Sequence, residues 1–130
     1  GARYVGKILL ALRPGRKDKN FIGIARNVCL YYGATLSLLH VVSEETSDRI
    51  RETVRSRSQE KLKEVNAKAK IMVVRSSNPV QTISDMSASY DLLILGTPEK
   101  DNWINVLFGG GKDKFTETAA CSVLRLTIKD

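Results

Sequence analysis

The stretch KILLAL, Lys7 to Leu12, closed at once by Arg13-Pro14-Gly15, decides the fold of this 130-residue chain. Five apolar residues in succession lack the alternation of a strand with one wet face, and the run is too short for a buried helix. It is the pattern of a strand covered on both faces, as in a parallel sheet. A parallel sheet needs crossover segments, so the residues that follow have to be helical and carry one apolar side.

They do. After the polar loop RPGRKDKN, the apolar residues Ile22, Ala25, Val28, Cys29 and Tyr32 fall at helical spacing within Phe21 to Tyr32, and Gly33 stands at a C-cap position. ATLSLLHVV, Ala34 to Val42, reads as a second strand. Ser43 to about Lys70 is a charged surface helix with one apolar stripe, Ile50, Val54, Leu62 and Val65. Its acids Glu44 and Glu45 and its terminal Lys68 and Lys70 suit the helix dipole, and Glu45–Arg49 and Glu64–Lys68 have the spacing of stabilising ion pairs. A third strand spans about Ile71 to Arg75. Asn78 and Pro79 cap and start a helix to about Ser89, and DLLILG, Asp91 to Gly96, is a fourth strand. A helix from about Asp113 to Ala120 and a last strand, SVLRLTI, complete a single domain spanning residues 1–130. The expected architecture is a three-layer α/β sandwich, a five-stranded parallel sheet of order 3-2-1-4-5 with helices on both faces. In such a sheet a ligand binds where strand order reverses. That point lies between strands one and four, with RPGRKDKN on one rim and the loop from Gly96 to Lys112 on the other.

Composition excludes several classes. Hydrophobic residues at 42% and charged residues at 27% are those of an ordinary globular domain, and no apolar run reaches the roughly 20 residues that span a bilayer. Cys29 and Cys121 have no CxxC spacing and read as small buried hydrophobes of a reducing, cytoplasmic compartment, without metal or disulfide. The net charge of +7 is uneven: residues 1–70 hold 15 Lys and Arg against 7 acids, whereas residues 71–130 hold 6 against 7. An anionic partner is implied. Aromatic content of 6% and the lack of a recognition motif put nucleic acid last among such partners.

No catalytic constellation is present, so the chain reads as a non-enzyme. GGGK at Gly109 to Lys112 is not a phosphate-binding P-loop, because Val106 stands where its first glycine belongs and Asp113 where its Ser or Thr belongs. His40, the one histidine, sits inside a strand and reads as a core residue. Trp103 reads as an anchor for its loop. Consecutive glycine amides ahead of a helix do form an anion-binding concavity, beside which Lys112 and Arg13 would add charge, with Arg16, Lys17 and Lys19 on the same rim.

On YYGATLSLLHVV, DLLILGT and AACSVLRL, the sequence resembles the universal stress protein family over nearly its whole length. The resemblance implies an adenine-nucleotide alpha-hydrolase-like fold and a dimerising regulatory module of the stress response. ATP-binding members carry G-x-x-G, nine residues, then G-S/T. Here Gly96 and Gly109 match the first and third glycines, Glu99 replaces the second, Gly110 replaces the hydroxyl residue, and Lys112 stands where many members have another hydroxyl. Arg13 occupies the place of a nucleotide-contacting aspartate. The implied ligand set is Arg13, Val41, Gly96, Thr97, Gly109, Gly110, Gly111 and Lys112, taking ATP, another adenine nucleotide or a small phosphate anion. The resemblance also implies a homodimer through the last strand, at Val123, Leu124, Arg125 and Leu126. Similar domains occur as cytosolic tails of membrane transporters. A start at Gly1 rather than Met fits a piece of such a parent chain as well as a free-standing protein.

Overall fold

Five parallel strands run in the order β3-β2-β1-β4-β5, the order expected from the sequence. The computed structural model describes residues 4–13, 15, 17–98 and 121–128. Along the chain these form β1 (Lys7–Leu12), α1 (Asp18–Tyr32), β2 (Thr35–Val42), α2 (Asp48–Glu64), β3 (Lys70–Arg75), α3 (Pro79–Ser87), β4 (Leu92–Pro98) and β5 (Ser122–Ile128). The helix expected at 113–120 lies outside the described residues.

The sheet has two buried faces, which is why its central strands are apolar without alternation. Ile8, Leu10 and Leu12 of β1 join Leu38 and Ile94 under Phe21, Ile22, Ala25 and Cys29 of α1 and Leu62 of α2. Leu9 and Ala11 point the other way, to Leu39, Leu93, Leu95 and Ile83 of α3. Burial of each Leu, Ile or Phe side chain among these stabilises by roughly 1.5–3 kcal/mol.

Helix ends follow local chemistry. Gly33 closes α1 with φ 68°, a left-handed conformation that glycine adopts freely, and its neighbour Ala34 donates its N–H to the Cys29 carbonyl at 2.9 Å. α1 starts at Asp18, three residues before the periodicity predicts. The reason is tertiary: the buried Asp18 carboxylate accepts from Gly15 N–H at 3.1 Å and from Lys61 of α2 at 3.2 Å. α2 is shorter than its charged segment. Ser47 accepts from Ile50 N–H at 3.2 Å and caps it, Ser43 to Thr46 form a turn ahead of it, and Asn66 at φ 58° follows its end. Glu45 and Lys68 therefore fall outside the helix, and the two expected pairs do not form as helical pairs. Glu64 instead meets Lys19 of α1 at 3.0 Å. Asn78 caps α3 by accepting from Gln81 N–H, with Pro79 in the first turn, as its sequence predicts.

The edge strand β3 is guarded. Ser76 N–H donates to the Val42 carbonyl, so alternation along the strand turns the polar groups of Ile71 and Val73 outward. Those outward carbonyls accept from Arg55 at 2.8 Å and from Arg51 at 3.0 Å, both on α2. An incoming strand would find its acceptors already taken.

Candidate functional site

Strand order reverses between β1 and β4, so the ligand crevice of this topology opens at the carboxyl ends of those two strands. Register fixes what stands there. Leu12 pairs with His40 on one side and with Gly96 on the other. One residue further on along each strand, exposed Arg13 therefore stands level with Val41, which is half-buried, on one side and with the Thr97 backbone on the other. Four of the residues expected at the site, Arg13, Val41, Gly96 and Thr97, thus come from three separate segments to one end of the sheet. Gly109, Gly110, Gly111 and Lys112 lie outside the described residues, as do Glu99 and Trp103. Thr97 and Pro98 end β4 immediately before that loop.

Gly96 has a structural reason to be glycine. A Cβ there would stand 2.8 Å from the ring of Phe21 and would press on Leu12. The position lets the first turn of α1 close over the end of β1, which sets the depth of the crevice floor. The spacing of glycines in the sequence carries no sign of this second role.

Beneath the turn between β1 and α1 lies a polar group of side chains that linear reading does not assemble. Asp18 and Lys61 tie the turn to α2, and Lys61 also donates to the Gly15 carbonyl at 3.4 Å. The ammonium thus bridges a carboxylate and a backbone acceptor, fixing Gly15 from one side while Asp18 fixes it from the other. Beside them a cavity of about 440 Å³ is lined by Gly15, Asp18, His40, Val54, Arg57, Ser58 and Lys61.

His40 is buried on the floor of this cavity, a core histidine as the sequence predicts. Its Nδ1 is 2.9 Å from the Leu12 carbonyl, an acceptor only, so Nδ1 carries a proton. Its Nε2 is 3.0 Å from Ser58 Oγ, which is also 2.9 Å from the Val54 carbonyl. Burial lowers the pKa of His40, an effect that Asp18 and the Leu12 carbonyl oppose and Lys61 reinforces. Neutral His40 then accepts from the Ser58 hydroxyl at Nε2. A protonated ring would need that hydroxyl to turn to Val54. The hydrogen bond to Leu12 ties β2 to the last residue before Arg13, so His40 acts on the crevice through the backbone.

Burial pushes both the Cys29 and the Cys121 thiol up, away from the thiolate, which suits their reading as packing residues. For Cys121 burial outweighs the hydrogen bonds with Ser87 and Leu93 that favour its thiolate. Among the described residues no cluster of metal-ligating side chains occurs and no helix is long and apolar enough to cross a membrane.

No family model matches the sequence, and no curated protein matches it. Solved structures do. A universal stress protein in complex with cAMP superposes with a TM-score of 0.73 at 12% identity, covering 96% of this chain and 98% of the other. The chain has the universal stress protein fold. The universal stress protein UspA from Lactobacillus plantarum gives 0.66 at 19% identity over 97% of this chain and 99% of that one. The universal stress protein from Archaeoglobus fulgidus in complex with dAMP gives 0.67 at 13% over 95% and 98%. The resemblance read from the strand and turn motifs therefore holds at the level of the fold, over nearly the whole chain.

Proposed function

We propose that this protein is a non-enzymatic, cytoplasmic regulatory module that captures an adenine nucleotide or a related small phosphate anion in the β1/β4 crevice. The observation that carries this reading is the register of Leu12 with both His40 and Gly96. It supports a site in which Arg13, one residue past that register, works beside the end of β4, at the switch point of a fold whose solved examples include complexes with cAMP and dAMP. Arg13 replaces the acid that the sequence resemblance leads one to expect, and a cation there favours direct contact with phosphate oxygens over contact through Mg²⁺. Gly109 to Lys112 would supply amides and a second charge from the opposite rim.

Calorimetric titration with ATP, AMP, cAMP and inorganic phosphate, each with and without Mg²⁺, tests this. The expected outcome is saturable binding of at least one nucleotide that does not require Mg²⁺ and is weakened at least tenfold by Arg13→Glu. Absence of heat with every compound, or binding indifferent to Arg13→Glu, overturns it.

The module is also proposed to dimerise through β5, the sheet edge at which α2 places no arginine. Val123, Leu124, Arg125 and Leu126 would form that contact, and Val123→Lys is expected to convert a dimeric sedimentation profile into a monomeric one. A profile that stays dimeric would place the contact elsewhere.

A further inference from the structure

The four tyrosines of the chain gather at the end of the sheet opposite the crevice. Tyr4 precedes β1, Tyr31 and Tyr32 end α1, and Tyr90 follows α3, so all of them lie where strands begin. Two are almost bare: Tyr4 is 84% exposed and Tyr31 83%, and the neighbouring Leu30 is exposed as well, at 67%. Tyr31 and Tyr32 stack edge to face with centroids 4.9 Å apart. Tyr90 packs against the core cluster that holds Ile83 and Leu93, whereas Tyr4, Tyr31 and Tyr32 belong to neither core cluster.

The same end is basic. Lys7 opens β1 and lies 5.1 Å from the Tyr90 ring centroid. Lys68 and Lys70 lead into β3, and Arg26 reaches across from α1 to the Asn66 carbonyl at 3.2 Å. The nearby acids are spoken for. Asp91 accepts from the Gly6 and Lys7 N–H groups, both at 2.9 Å, and Glu64 is paired with Lys19. Between α1 and the start of β3 runs an open groove of about 610 Å³, with Ala34, Leu36, Ala67 and Ala69 along its apolar floor and Lys68 and Lys70 on its rim.

We propose that this amino-terminal end of the sheet is a docking surface for an anionic phospholipid membrane, with the groove receiving a headgroup and the start of its glycerol and acyl region. Tyrosine combines an apolar ring with a polar tip and favours the boundary between lipid and water. Lysine and arginine near an anionic leaflet each strengthen binding, by roughly five-fold per charge. The kind of cation separates a leaflet from a protein partner: among the described residues Lys7, Lys68 and Lys70 stand at this end beside Arg26, and lysine is the residue that protein–protein interfaces disfavour, whereas anionic leaflets attract it. Docking here leaves the crevice turned away from the membrane, accessible to solution.

Co-sedimentation of the whole chain with vesicles tests the proposal, comparing phosphatidylcholine alone with equal parts of phosphatidylcholine and phosphatidylserine. Binding is expected only to the mixed vesicles and should fade with salt. Lys68→Gln with Lys70→Gln should lower partition roughly 25-fold, from two charges at about five-fold each. Tyr31→Ser should lower it further, while the charge-matched Arg49→Gln with Arg57→Gln, on the part of α2 nearer the crevice, should lower it far less. Circular dichroism confirms that each variant is folded. Failure to bind mixed vesicles, equal loss in the two double variants, or displacement by soluble glycerophosphoserine in place of membrane would each overturn it. The nucleotide titration reads the other end of the sheet, so either result stands without the other.

Discussion

The two ends of the sheet are built on different principles. At the carboxyl end the groups are tied to one another: Asp18 to Gly15 and Lys61, His40 to Leu12 and Ser58, and the first turn of α1 to the space left by Gly96. At the amino end the large side chains Tyr4, Leu30 and Tyr31 stand in solvent. Removing a tied group exposes or orphans its partner, whereas removing the bare Tyr31 ring gives up only a surface contact, its edge-to-face stacking on Tyr32. Stability therefore reports on the first end and is nearly blind to the second, so a role for the second has to be sought in binding.

That contrast can be broken from its strong side first. Asp18→Ala should destabilise the fold by roughly 3 kcal/mol in urea denaturation, since it strips a largely buried lysine of its carboxylate. The pair Asp18→Leu with Lys61→Met should recover much of that loss, because no uncompensated charge is left behind. Gly96→Ala should cost about 1–3 kcal/mol through overpacking against Phe21 and Leu12, and Phe21→Leu in the same chain should return part of it. A simple additive loss would mean that Gly96 does not hold the turn of α1 as described.

Arg51→Ala with Arg55→Ala should cost roughly 1 kcal/mol per lost bond and, more tellingly, make association concentration-dependent by opening the β3 edge. Light scattering across a dilution series measures this.

His40 gives a smaller, pH-dependent effect. Its folded pKa lies below its ordinary 6.5, so the unfolded chain takes up the proton first. Stability contributed by neutral His40 is complete above 6.5 and is lost as pH falls from there toward the folded value. His40→Gln should flatten the dependence of the denaturation midpoint over that window. Tyr31→Ser, at the opposite end, should change stability by no more than about 0.5 kcal/mol, and a larger loss would erase the distinction between the two ends.

Much of this molecule is legible before folding. Strands covered on both faces have to be apolar at every position, so KILLAL and LLIL announce themselves, and their alternation with helical periodicity leaves few topologies. Caps are local too, as Gly33 and Asn78 show. The boundaries that differ from the sequence reading have distant causes. Asp18 begins α1 because Lys61, in another helix, completes its coordination, and Glu64 chooses Lys19 over Lys68 because α2 ends at Glu64 and leaves Lys68 beyond its last turn.

The candidate site divides in the same way. Arg13 and the glycines of the following loop can be picked out by type and spacing, but the neighbours of Arg13 come from strands two and four, and only the register of the sheet brings them beside it. The second duty of Gly96 is invisible in one dimension, since the atoms that a side chain would strike belong to Leu12 and Phe21. The tyrosines are scattered over 87 positions of chain, from Tyr4 to Tyr90, and nothing in their spacing joins them. Composition and periodicity are properties of neighbouring residues and settle which elements form. Which side chains share an end of the sheet depends on strand order and direction, long-range contacts that exist only in the folded chain.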